Sequence, residues 1–101
     1  MRLVQILLPT HDNAGEPFPH ALFAQVRAEL TDAFGGVTAY LRAPATGLWD
    51  EGEQVVRDDI VIYETMVDRM DESWWLDYRG RLERRFRQDE IVIRALPMER
   101  I

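Results

Sequence analysis

The chain opens on a nearly continuous apolar run, Arg2 to Leu8, with Gln5 as its only interior polar break. A strand that is apolar on both faces belongs in the middle of a sheet, so this run is predicted as a central first strand. Pro9-Thr10-His11-Asp12-Asn13-Ala14-Gly15 then strings turn-forming residues together as a loop. The spacing next becomes helical. Leu22, Phe23, Val26, Leu30, Ala33 and Phe34 form one stripe, while Gln25, Arg27, Glu29 and Asp32 point away from it. Pro19 suits the first helical turn, and Gly35-Gly36 supplies the left-handed conformation of a helix C-cap.

Val37 to Arg42 returns to strand character. A turn-rich excursion follows through Ala43 to Glu53, and a short extra strand, Gln54 to Arg57, is expected to extend the ribbon. Asp59 to Val67, with Ile60-Val61-Ile62-Tyr63 at its heart, is strongly β-forming. Asp68 and Asp71 both offer caps for a second helix, whose inner stripe is Trp75, Tyr78, Arg79, Leu82 and Phe86. Trp74 and Trp75 adjoin and cannot both face inward, so one is expected at an edge or an interface. Gly80 inside this helix costs about 1 kcal/mol relative to alanine, which suggests a close approach to the sheet. Arg81, Arg84, Arg85 and Arg87 complement the dipole at the helix end. Glu90 to Leu96 is the last strand, closed by Pro97.

The order is β-α-β-β-α-β. It predicts an α+β, ferredoxin-like domain spanning residues 1–101, with two helices on one face of a four-stranded antiparallel sheet. The first and last strands, LVQILL and IVIRAL, are both doubly apolar and are expected in the middle of the sheet.

Period-two alternation divides each strand between two faces. Val4, Ile6, Leu8, Val37, Ala39, Leu41, Ile60, Ile62, Ile91, Ile93 and Ala95 are assigned to the helix side. The open face then collects Leu3, Gln5, Leu7, Thr38, Tyr40, Arg42, Val61, Tyr63, Thr65, Val92, Arg94 and Leu96. Such a face is too apolar to sit well in water, yet it carries tyrosine and arginine. One reading is a ligand cavity lined by Tyr40, Arg42, Tyr63 and Arg94, selective for a small anionic or aromatic molecule. The simpler reading is a homodimer interface, where tyrosine and arginine are enriched without any ligand.

His11, Tyr40 and Tyr63 are the candidate catalytic side chains. A histidine beside Asp12 has the makings of a general base with its orienting group, but Asp and Asn are also ordinary loop formers. His11 and His20 without a third clear ligand make no metal site. Trp49 follows a glycine in the hairpin loop and is read as a plug for the open end of the core rather than an exposed binding residue. No nucleophile elbow, phosphate-binding glycine loop, HExxH or Rossmann fingerprint is present, and no cofactor is expected.

Composition narrows the field of partners. A net charge of −6 argues against nucleic-acid binding, which needs clustered positive charge. No cysteine is present, so disulfides and thiolate chemistry are excluded, in keeping with a cytoplasmic setting. All 12 basic residues are arginine. Coding bias in a GC-rich bacterial genome explains this most simply, and bidentate anion recognition is the functional alternative. No segment approaches the roughly 20 apolar residues that span a bilayer, and the first run reads as a strand rather than a signal peptide.

Three segments carry a resemblance: Phe34-Gly35-Gly36-Val37-Thr38, Gly47-Leu48-Trp49, and Arg84-Arg85-Phe86-Arg87-Gln88-Asp89-Glu90. Together they resemble a family of uncharacterised small bacterial proteins. The resemblance implies a ferredoxin-like or dimeric α/β-barrel fold and no assigned activity, and it supplies no catalytic residues. The expectation is therefore a cytoplasmic homodimer that binds a small ligand on its open sheet face. The alternatives are a cofactor-free monooxygenase or isomerase of the dimeric α/β-barrel kind, and a protein-interaction module.

Overall fold

The computed structural model describes residues 1–42 and 60–101, with only the backbone at Arg42. The elements are β1 (Arg2–Pro9), α1 (His20–Phe34), β2 (Thr38–Arg42), β3 (Ile60–Val67), α2 (Glu72–Arg85) and β4 (Val92–Pro97). The four strands form one antiparallel sheet in the order β2-β3-β1-β4, the ferredoxin-like arrangement. β1 and β3 are the central strands, and β4, expected in the middle because both its faces are apolar, pairs only with β1 and lies at an edge, most of its residues exposed. Trp49, the acidic stretch Asp50 to Glu53 and the expected short strand Gln54 to Arg57 lie outside the described residues. No helix among the described residues is long and apolar enough to cross a membrane.

The helices end where local chemistry stops them. Gly35 adopts a left-handed φ of 83° and its N–H reaches the Thr31 carbonyl at 2.7 Å. Pro19 sits at the N-cap of α1, one position earlier than the first turn. Asp71, not Asp68, caps α2 by accepting the Trp74 N–H at 3.2 Å.

Val4, Ile6 and Leu8 of β1 are fully buried against Val26, Leu30, Trp75, Tyr78, Leu82 and Phe86. The two tryptophans divide the work as their spacing requires. Trp75 is buried and stacks on Phe34 at 5.1 Å, while half-buried Trp74 stacks on Tyr78 at 4.9 Å. Four helix assignments change. Ala33 and Arg79 are exposed rather than inward, and Gly80 approaches no strand: a Cβ there would meet only the Arg84 side chain at 3.5 Å. Glu29, expected to face solvent, turns instead toward α2.

The main correction concerns β3. Tyr63 pairs with Ile6 and with Ala39, and Val61 with Leu8 and Leu41, so Val61, Tyr63 and Thr65 face the helices. Ile60, Ile62, Glu64 and Met66 lie on the open face, whereas Ile60 and Ile62 are expected on the helix side and Val61, Tyr63 and Thr65 on the open one. Both parities of IVIYETMV are apolar, so hydrophobicity alone does not choose between them. Charge and hydrogen bonding do. Tyr63 donates its hydroxyl to the Phe23 carbonyl at 3.4 Å, and Thr65 donates to the Gly36 carbonyl at 2.7 Å. Glu64 is left toward solvent.

Candidate functional site

Two polar constellations lie on opposite sides of the sheet. On the open face, period-two alternation and the strand register place Arg94, Gln5, Glu64 and Tyr40 close together on four different strands. Arg94 Nε donates to Gln5 Oε1 at 2.6 Å, and Gln5 Nε2 donates to Glu64 Oε2 at 2.5 Å. Tyr40 donates to the same carboxylate oxygen at 3.2 Å. The row crosses β4, β1, β3 and β2 in turn, with Leu3, Leu7, Met66, Val92 and Leu96 on either side. Arg42 shares this face by register, opposite Ile60. Of the four expected ligand-binding residues, Tyr40 and Arg94 therefore share one hydrogen-bonded row. Tyr63 is behind the sheet.

On the helix side, a cavity of about 370 Å³ opens at the β2 edge. That volume falls within the range of small-ligand sites, about 300–1,000 Å³. Its floor is the face of β2 and β3 that α1 leaves uncovered: Ala39 and Leu41 beside Val61 and Tyr63. Leu41 is 73% exposed although it points to the helix side, which shows how far the helix layer stops short of this edge. One wall is α1, where His20, Phe23 and Arg27 recur at helical spacing and so share a face. The other wall is the β1–α1 loop, with Thr10, His11, Pro17 and Phe18.

That loop is built to hold its shape. His11 and Pro17 form a β-bridge, and the Phe18 N–H donates to the Thr10 carbonyl at 3.0 Å. Asp12 Oδ1 accepts the Ala14 and Glu16 N–H groups, both at 2.9 Å. The Glu16 N–H is the main reason that the Asp12 carboxyl lies below its ordinary range, with the Ala14 N–H, the Arg87 guanidinium and His11 adding smaller contributions. Asp12 is thus committed to its own loop. The ring nitrogen Nδ1 of His11 lies 2.8 Å from Thr10 Oγ1 instead, so the expected His11–Asp12 base and orienter pair does not form.

His11 and Tyr63 nevertheless line this one cavity, and Tyr40 borders it although its hydroxyl reaches Glu64 on the open face. His20, Phe23 and Arg27 join them; the sequence pointed only to His20 among these, and only as an incomplete metal ligand. Their common helical face was visible in the spacing, but not the strand edge they would overhang. Burial pushes the Tyr63 phenol up, against the opposing pull of the Arg27 guanidinium. Tyr63 therefore stays a proton donor. Among the described residues, both histidines and Arg27 line the cavity and no carboxylate does. A second, larger concavity of about 550 Å³ at the C-terminal end of α1 includes Glu64 and Arg100, so its charges offset each other. No group of three or more potential metal ligands occurs among the described residues.

Compared with models of known protein families, the chain matches none, and comparison with curated proteins likewise gives no match.

Proposed function

We propose that this protein binds a small molecule with a carboxylate on a flat apolar body, and that the edge cavity is the site. The lining carries this reading. Arg27, His11 and His20 meet Phe18, Phe23 and Tyr63 around one concavity, in a chain whose net charge is −6. Cationic and imidazole groups gathered with no carboxylate among the described residues suit an anion, and the surrounding rings suit an apolar body. The ligand class is the one expected from sequence, moved from the open face to the helix-side edge. A cofactor-free monooxygenase or isomerase has less support, because among the described residues His11 pairs with Thr10 and Asp12 accepts its own loop's N–H groups rather than orienting the imidazole.

Titration of isotope-labelled protein with naphthoate and with its uncharged analogue naphthamide tests the proposal. Naphthoate is expected to shift the amide signals of His11, Phe23 and Arg27 saturably, and naphthamide to bind about tenfold more weakly, the loss of one charge-assisted contact. Equal binding of the two, or no response at these residues, refutes it.

The open face supports a second reading, a homodimer. Met66, Val92 and Leu96 are 45%, 46% and 42% exposed beside the polar row. The row carries Arg94 near one edge and Glu64 near the other. A two-fold axis through this face sets each Arg94 toward the partner copy's carboxylate, the self-complementarity that an isologous interface needs. Light scattering at micromolar concentration should give a dimer mass, and Met66→Asp a monomer. A monomeric wild-type protein contradicts the dimer.

A further inference from the structure

We infer that Arg87 is a positioning residue for the edge cavity, fixing from the end of α2 the loop that carries His11 and Phe18. The inference rests on the reading of that cavity as a ligand site. The backbone gives the first indication. After α2, the Gln88 N–H donates to the Glu83 carbonyl at 2.9 Å and the Arg87 N–H to the Arg84 carbonyl at 3.3 Å. This is a Schellman turn, and its left-handed position is normally glycine. Here Arg87 occupies it at φ 50°, the only positive φ outside glycine among the described residues. An L side chain in this conformation is disfavoured.

The side chain shows what the arginine does there. Its Cζ lies 5.4 Å from the centre of the Phe18 ring, and one guanidinium nitrogen lies 3.5 Å from Asp12 Oδ2. Phe86, the residue before it, meets Phe18 edge-on at 5.1 Å. Two successive residues at the end of α2 therefore hold Phe18, while Arg87 also reaches Asp12, the hub of the loop. Phe18 and His11 both line the cavity. The Arg87 side chain is 65% exposed, and an exposed ion pair of this length adds little stability. Stability alone favours glycine at this position. Orientation of the loop favours arginine, whose planar cation can lie over a ring and reach a carboxylate together.

Arg87→Gly separates the two roles, because it removes the contact and relieves the backbone at once. The expected result is a melting temperature unchanged or raised, amide exchange across residues 12–16 faster by about tenfold, and naphthoate binding weakened about fivefold. Arg87→Lys, which keeps charge without the planar fork, should fall between glycine and wild type. Unchanged loop exchange overturns the inference, and so does faster exchange with undiminished affinity. A clear fall in melting temperature shows ordinary stabilisation and overturns it as well. Failure of the wild-type protein to bind naphthoate refutes the ligand reading instead, and the exchange comparison still decides whether Arg87 holds the loop.

Discussion

Two clusters of basic and aromatic side chains flank α1, and they differ in whether the chain itself supplies their anion. At the seam between the helices, Glu29 receives Arg85 at 2.6 and 2.9 Å and the Tyr78 hydroxyl at 2.9 Å. Arg81 approaches both, 4.0 Å from Glu29 Oε2 and 4.9 Å from the Tyr78 ring centre. The bidentate Arg85 contact holds the Glu29 carboxyl below its ordinary range, while burial and then Glu29 itself push the Tyr78 phenol up. Every strong group there has a partner. At the strand edge, Arg27, His11 and His20 surround a cavity with Tyr63 and no carboxylate among the described residues. The seam is a satisfied network that joins two elements, whereas the cavity's cationic groups meet no carboxylate among the described residues, the contrast on which the proposed ligand site rests.

Breaking the seam should have the largest effect on stability. Glu29→Ala leaves Arg85, whose side chain is only 14% exposed, without its carboxylate. A loss of about 2 kcal/mol is expected in urea denaturation, below the 3–5 kcal/mol of a fully buried pair because Glu29 remains partly in water. At the cavity, Tyr63→Phe keeps the ring and removes the hydroxyl. It should cost about 1 kcal/mol of stability and weaken naphthoate binding, both readable from one protein sample.

Acid should weaken the seam through Glu29. Because the folded state lowers the Glu29 pKa, its contribution is fully present above the ordinary glutamate value and is lost as pH falls through the folded one. Urea midpoints measured from neutral to acid pH should decline less steeply in Glu29→Gln than in wild type. The smallest change in stability is expected for Arg27→Ala, within about 0.5 kcal/mol, while naphthoate affinity drops about tenfold. An Arg27 variant that unfolds easily yet binds normally would reverse the comparison.

The fold was legible because several signals agreed. The doubly apolar first strand, the Gly35 stop and the Asp71 cap each predicted what forms. The faces of β3 were not read correctly, since Ile60, Ile62 and Met66 compete evenly with Val61, Tyr63 and Val67. Glu64 was the overlooked discriminator: its parity marks the open side, where Gln5 and Tyr40 meet it. Of the cavity, His11, Tyr40 and Tyr63 were named from sequence, but on mistaken geometry for Tyr63. His20, Phe23 and Arg27 joined the cavity only with the structure, because their role depends on α1 stopping short of Leu41. Helical spacing shows which residues share a face. It does not show where the neighbouring layer ends.

The most direct test of the ligand site is the position of a heavy atom. Crystals grown with bromonaphthoate should give an anomalous bromine peak in the helix-side cavity, among Phe18, Phe23 and Tyr63, with the carboxylate toward Arg27. A peak on the open sheet face, beside Tyr40 and Arg94, would contradict the account.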